Sequence, residues 1–191
     1  MSYAEALLAH LNFQVNQLEK GALQNKLAST YNNLGIYEQA ELLYTSALTT
    51  VKEVLGKSHP DYANSLNNLA LLYEYQGKYS QAEPLYKQSL TIKKEVLGEV
   101  HPDYATTLDN LALLYKRQEK YNEAEHLLKQ ALATRKKSLN ESHPNYVTFL
   151  SNLASLYKHQ GKYEDAELLH QQTLAIRKET LGETHPDYAS S

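Results

Sequence analysis

The chain has 191 residues, enough for one or two ordinary domains, and its 19 Lys and Arg against 22 Asp and Glu give a formal net charge of −3. It has no Cys, which excludes disulfides and thiolate metal sites, and its charge balance gives no basic surface for nucleic acid. The longest apolar runs are a few residues, so the sequence predicts neither a membrane span nor a secretory signal, and we expect a cytoplasmic protein.

A tandem repeat organises most of the chain. The string His59-Pro60-Asp61-Tyr62 returns at 101–104, at 143–146 with Asn145 in place of Asp, and at 185–188, always 42 residues apart. Comparison of 59–100 with 101–142 finds 24 identical residues among the 42. Composition bias cannot produce this agreement, so we predict repeat units at 17–58, 59–100, 101–142 and 143–184, and the start of a fifth at 185–191.

Residues 1–16 precede the first unit. Tyr3-x-x-Ala6 returns as Tyr37-x-x-Ala40, at a spacing shorter than the period of the other repeats. We predict a lone helix here, either the second helix of a shorter repeat or a cap.

Each unit is predicted to be a pair of antiparallel helices. In the second unit, the apolar residues of 66–73 and of 82–90 follow the i, i+3, i+4, i+7 spacing of a helix face. Gly77 lies between them and is placed to end the first helix, and Ser80-x-x-Glu83 has the pattern of a capping box for the second. The predicted pairs are 20–34 with 37–55, 62–76 with 79–97, 104–118 with 121–139, and 146–160 with 163–181.

Stacking of the units follows from the helical stripes. Neither helix of a pair can bury its apolar face alone, so neighbouring units must pack together. The sequence has no polar capping helix after the fourth unit, and we expect the chain to be a piece of a longer array. The stripe on 163–181 is then partly uncovered, which predicts end-to-end self-association.

The repeat resembles a known family. Its large and small residues match those of the tetratricopeptide repeat (TPR), whose usual unit has about 34 residues. The longer unit found here resembles that of the TPR domain of kinesin light chains, over about 17–191. The resemblance implies an all-α, right-handed solenoid of antiparallel helix pairs with a role in protein–protein interaction. The matching residues of the second unit are Leu66, Leu69, Ala70, Tyr73, Gly77, Tyr79, Ala82 and Tyr86.

The sixteen tyrosines fall largely on this framework. Tyr combines a large apolar ring with a hydroxyl that needs a partner when buried. We therefore predict packing roles at the rims of the helix pairs for Tyr31, Tyr73, Tyr115 and Tyr157, and for Tyr37, Tyr79, Tyr121 and Tyr163.

No pattern indicates catalysis or metal binding. The four repeated histidines lie in successive units, on the order of 20 Å apart, whereas metal ligation needs donors at about 2 Å. We interpret them as turn residues. The sequence also lacks a Gly-x-Ser-x-Gly motif and a Gly-rich phosphate loop, so we expect no enzyme, no catalytic residues, no metal and no cofactor.

Polar residues on the first helices are the candidates for binding. The resemblance implies that these helices line a concave groove, and that the Asn before Leu-Ala contacts a peptide. Asn68, Asn110 and Asn152 match that position, and Asn67 precedes the first of them. An Asn amide both donates and accepts, which suits a peptide backbone. The alternative is that these amides hold neighbouring helices together.

Basic and apolar residues extend the same face. On the first helices these are Leu71, Leu113, Lys116, Arg117, Lys158 and His159. The resemblance implies a further basic residue near the end of each second helix, matched by Lys93, Arg135 and Arg177, whereas Val51 departs from it. These residues suggest a peptide with acidic and bulky apolar side chains. The alternative is that they are ordinary solvated charges.

The predicted function is therefore that of a non-catalytic adaptor that holds an extended peptide in its concave groove. A role in motor–cargo attachment is implied by the resemblance alone. Two alternatives remain: a structural, self-associating array, and a regulatory array of a larger multidomain protein.

Overall fold

The computed structural model describes the backbone of residues 3–138 and 144–181, with side chains over 12–137 and 146–178. Every regular element in the described backbone is an α-helix, which confirms the all-α prediction. The eight helices are α1 (Tyr3–Asn33), α2 (Tyr37–Leu55), α3 (Pro60–Tyr75), α4 (Tyr79–Leu97), α5 (Pro102–Arg117), α6 (Tyr121–Ser138), α7 (Pro144–His159) and α8 (Tyr163–Leu181).

The repeated His-Pro string begins the first helix of a pair. Helix α3 starts at Pro60, two residues earlier than predicted, because Pro fits the first helical turn and His59 caps it. The His59 Nδ1 accepts a hydrogen bond of 3.1 Å from the backbone N–H of Asp61, and His101 caps α5 at the same distance. These two histidines are helix caps, as the turn interpretation requires; the other two lie outside the described residues.

The turn within a pair is also set by local chemistry. Gly77 has φ +73°, and the N–H of the next residue, Lys78, bonds back to the carbonyl of Tyr73. The capping-box prediction was wrong, because α4 already begins at Tyr79 and Ser80 lies inside it. The Glu83 carboxylate instead accepts a 2.7 Å hydrogen bond from Lys87 Nζ, one turn along the helix.

The N-terminal segment differs from the prediction of a lone helix. Residues 3–16 are helical, but they run without interruption into α1, a single helix of 31 residues. No proline interrupts this stretch, and Gly21 lies in the helix interior, where an added Cβ would stand 3.6 Å from Thr50 Cγ2 of α2. This glycine permits close packing of α1 on α2 and does not break the helix.

The chain divides into two compact units, which we call unit 1 (residues 1–96) and unit 2 (residues 97–191). In unit 1, α1 packs on α2 and α2 on α3 around apolar side chains: Ala28, Ala40, Tyr44, Leu69 and Leu72. In unit 2, α5, α6 and α7 pack in the same way around another set: Ala112, Ala124, Leu128, Leu153 and Leu156. Each unit therefore stacks consecutive repeats, as the helical stripes predicted.

Glu41 on α2 and Glu125 on α6 each tie a second helix to the turn of the next repeat. In unit 1 the Tyr73 hydroxyl donates to Glu41 at 3.0 Å, and Lys78 Nζ lies 3.5 Å from the same carboxylate. In unit 2 Glu125 accepts from Lys162 at 2.8 Å and from the Tyr157 hydroxyl at 3.4 Å. We call these contacts the glutamate latches.

The tyrosine prediction is confirmed for seven of the eight named residues, which are partly buried, and corrected for the eighth. Tyr163 is 70% exposed, because it lies on α8, where no further helix among the described residues covers it. Among the tyrosines with described side chains, Tyr86 is the most deeply buried, and its hydroxyl donates to the buried carboxylate of Glu74 at 2.9 Å. None of the described helices is long and apolar enough to cross a bilayer.

Candidate functional site

The amide of Asn152 holds two first helices together. Its Nδ2 lies on α7 and donates to both carboxylate oxygens of Asp109 on α5, at 3.0 and 2.8 Å. Asp109 is buried, so without this donor its carboxylate would lose a hydrogen bond away from water. This contact agrees with the alternative to peptide binding given in the sequence analysis, in which these amides hold neighbouring helices together. Asn110 and Asn68 occupy the same register on α5 and α3 and are partly buried.

Lys116 makes a second link between the same two helices. Its Nζ donates a 3.1 Å hydrogen bond to Ser155 Oγ on α7. Burial lowers the pKa of Lys116, and the positive charge of Arg117 acts in the same direction while Asp109 opposes it. The ammonium therefore lies at a partly desolvated position, where a carboxylate from outside would be attracted strongly.

Five of the predicted binding residues come together on unit 2. Four of them line one depression of about 400 Å³, together with Tyr121 and Glu119: Leu113, Lys116, Arg117 and His159. The imidazole of His159 stacks on the Tyr121 ring at 6.3 Å between centroids, and it also borders a second depression of about 360 Å³ that Lys158 lines. We call the surface formed by Leu113, Lys116, Arg117, Lys158 and His159 the basic cleft.

The assignment of the basic residues near the ends of the second helices to an open groove implied that all of them are exposed. Two of them are instead buried. Lys93 and Arg135 are only 2% and 5% exposed. Arg135 Nη2 donates to Thr106 Oγ1 on α5 at 2.6 Å, and its guanidinium lies 5.1 Å from the Phe149 ring centre on α7. Arg135 therefore fills the space between two first helices. Arg177, on α8, is partly buried.

The electrostatic environment of Arg135 fits this structural role. Burial lowers the pKa of the guanidinium, while the carboxylates of Asp103 and Asp109 raise it. A guanidinium stays protonated under such influences, so the buried site contains a permanent cation beside two acidic side chains.

The corresponding place in unit 1 is open, and sequence reasoning did not identify it. Val51 on α2 takes the register position of Arg135, and over it lies a depression of about 530 Å³ between α1 and α3. We call this depression the Val51 pocket. The signal was present in the sequence, since Val51 was the one departure from the basic series. On the neighbouring face of α3, Asn67 is buried, and Asn68 and Leu71 are partly buried.

Among the described residues, no three His, Asp or Glu side chains are grouped so that they could hold a metal ion.

Comparison with known proteins identifies the repeats. Models described as tetratricopeptide repeat match residues 19–95, 105–145 and 147–187. The crystal structure of BtubC (BKLC) from P. vanneervenii superposes with a TM-score of 0.75 at 25% identity, over 87% of this chain and 66% of that one. Two crystal structures of a P. anserina protein, described as a kinesin light chain with nearly identical TPR-like repeats, give TM-scores of 0.77 at 28% identity, over 88% of this chain and 80% of theirs. No curated protein matches the chain.

Proposed function

The chain belongs to the tetratricopeptide repeat family, whose repeats generally mediate protein–protein interaction, and from that premise we propose that it binds an extended peptide along its first helices. In this proposal it is a non-catalytic, cytoplasmic adaptor. Its four repeats are residues 17–58, 59–100, 101–142 and 143–184. An N-terminal segment, 1–16, precedes them, and the start of a fifth repeat follows at 185–191. Its site comprises the predicted groove residues, with the reassignments given below.

The basic cleft carries the proposal. Three cations lie around the two depressions of the basic cleft: Lys116, Arg117 and Lys158. The lining of these depressions contains one acidic side chain, Glu119. The whole chain has the opposite net charge, −3, so this concentration of cations is local. Leu113 lies at the same depression and offers an apolar contact. A peptide with carboxylates beside a bulky apolar residue complements such a surface.

The predicted residues divide by role within this proposal. Lys93, Arg135 and Asn152 serve mainly in helix packing, because the first two are buried and the amide of the third bonds to Asp109. Asn67 joins them, because it is buried as well. The peptide-contacting set is then Asn68, Leu71, Asn110, Leu113, Lys116, Arg117, Lys158, His159 and Arg177.

The experiment selects binding peptides from a displayed random library against the wild-type chain, expects them to be acidic, and compares their affinity for the wild type and for Lys116→Ala/Arg117→Ala. We expect roughly tenfold weaker binding, with a shallower dependence on salt, since two of the attracting charges are gone. The matched control is Lys52→Ala/Lys57→Ala, which removes the same charge from two exposed positions of unit 1. If both double variants bind as the wild type does, the basic cleft is not the binding site.

Self-association is a second candidate, favoured by exposed apolar residues on α8. Tyr163, Leu168 and Leu174 are 70%, 64% and 38% exposed. Pairing of these faces between copies would remove them from water. Light scattering across a concentration series tests this, with Leu168→Lys as the variant expected to lower the mass. A monomer mass at every concentration for the wild type contradicts the candidate.

A further inference from the structure

We propose that the Val51 pocket receives a cationic side chain, Arg or Lys, from a bound peptide. The inference rests on the proposed function and deepens it. It gives unit 1 a recognition element of its own, a cationic peptide residue, separate from the acidic residues assigned to the basic cleft of unit 2.

Unit 2 supplies an internal precedent for the occupant. Arg135 takes the place of Val51 two whole repeats later in the chain, and its guanidinium fills the space between consecutive first helices. Its contacts there are the Thr106 hydroxyl on one helix and the Phe149 ring on the next. The fold thus already accommodates a buried guanidinium in the register position that Val51 leaves open.

The acidic surroundings of that guanidinium are partly retained in unit 1. Asp103, which raises the pKa of Arg135, corresponds to Glu19 two repeats earlier, and Glu19 lines the Val51 pocket. A second carboxylate, Asp61, lines it from α3. The pocket therefore retains anionic side chains although its own repeat has no cation at position 51.

An unsatisfied acceptor lies at the same place. Asn25 occupies the register of Asp109, and its Oδ1 is buried without a hydrogen-bond partner. A buried carbonyl oxygen without a donor is destabilising, and a guanidinium or ammonium in the pocket would supply a donor when the Asn25 amide turns towards it. This oxygen is a specific reason for a donor rather than an apolar occupant.

The remaining lining suits the stem of a long side chain. Leu18 and Ala22 from α1 and Val51 from α2 give apolar contacts for methylene groups, and about 530 Å³ is within the size range of ligand pockets. Lys26 also lines the pocket, but it is exposed and makes no ion pair in the part of the chain with described side chains. Two carboxylates against one solvated ammonium leave the pocket net negative.

The test uses N-acetyl-arginine methylamide as the probe and backbone NMR shifts as the readout. We expect saturable shifts at Asn25, Asp61 and Asn64, and roughly fivefold weaker binding of N-acetyl-norleucine methylamide, which has an apolar stem without the charged guanidinium. Val51→Arg, which places a cation where Arg135 has one, should abolish the shifts. Ala22→Phe should block the pocket from its exposed rim without changing the buried Val51.

Each outcome decides the inference. It is overturned if the arginine probe produces no shifts, if norleucine binds equally well, or if Ala22→Phe binds the arginine probe like the wild type. The proposed function is judged separately from the library peptides. Peptides that depend on Lys116 and Arg117 but show no enrichment of Arg or Lys would retain the function and refute the cationic occupant. Arginine-probe binding without any cleft-dependent peptide would retain the pocket and refute the function.

Discussion

The clearest contrast in the molecule is between the space over Val51 in unit 1 and the space over Arg135 in unit 2. Both lie between the first helices of consecutive repeats, above a second helix. The long side chain of Arg135 fills one, whereas the short side chain of Val51 leaves about 530 Å³ open in the other. A repeat protein can therefore open a cavity by shortening one structural side chain.

The largest expected change in stability comes from replacing the long side chain of Arg135 with Val, the residue found at position 51. Arg135→Val deletes a buried cation beside Asp103 and Asp109 and should lower the free energy of unfolding by about 3 kcal/mol, because the carboxylates lose their compensation. Urea denaturation measures it. The control Lys137→Val removes an exposed cation of the same helix and should change stability by less than about 0.5 kcal/mol. A similarly small loss for Arg135→Val would contradict a structural role for the buried guanidinium.

A second variant separates helix packing from peptide contact on the same face. Asn152→Ala removes the donor from the buried carboxylate of Asp109 and should cost about 1–3 kcal/mol of stability in urea denaturation. Asn68→Ala is its counterpart in unit 1. If Asn152→Ala leaves stability unchanged but weakens peptide binding, the amide serves recognition and our packing assignment is wrong.

The glutamate latches differ between units in a way that acid should reveal. Hydrogen bonds from Lys129 and Lys162 lower the pKa of Glu125 from 4.5 to about 2. A carboxyl with a lowered folded-state pKa stabilises the fold above its unfolded pKa, and the contribution is lost as the pH falls from about 4.5 towards 2. We expect a loss of about 1–2 kcal/mol over this range, reduced by the exposure of both lysines.

Comparison of Glu125→Gln with the wild type isolates that contribution. The variant should be less stable at neutral pH and should lose less stability between pH 5 and pH 2, because it has no carboxyl to protonate at this position. Glu41→Gln is the matched control, since Lys78 lies 3.5 Å from Glu41 while the two lysines of Glu125 lie at 2.7 and 2.8 Å. Identical acid profiles for Glu125→Gln and the wild type would refute the assignment.

The regular period of the repeat predicted most of the helical framework. Seven described helices lie within two residues of their predicted bounds, because Gly, Pro and the apolar stripes are local signals. The lone N-terminal helix was wrong because it was inferred from the spacing of Tyr3-x-x-Ala6, which contains no signal for a helix end, and α1 runs on through Gly21. Ser80 failed as a cap because the preceding Tyr79 already takes helical geometry.

The candidate site was less predictable, because burial depends on the neighbouring repeat. Helical spacing assigned Lys116 and His159 to one face, and both line the same depression. It could not show that Arg135 reaches a hydroxyl on α5 and a ring on α7 and is thereby enclosed. Helical spacing also could not predict a cavity from the presence of Val51 in place of a basic residue, since the open space depends on how far apart α1 and α3 lie.

The glutamate latches also constrain how such a chain can lengthen during evolution. Tyr73 and Tyr157 each follow their glutamate by 32 residues, and Lys78 and Lys162 by 37, so every latch joins one copy of the motif to the next. A tandem duplication of one complete copy preserves both separations at its junction, wherever the breakpoints fall. An insertion of a residue or two in the intervening helices would misplace acceptor and donors. Duplication of whole copies is therefore the kind of lengthening that keeps these two sets of contacts intact.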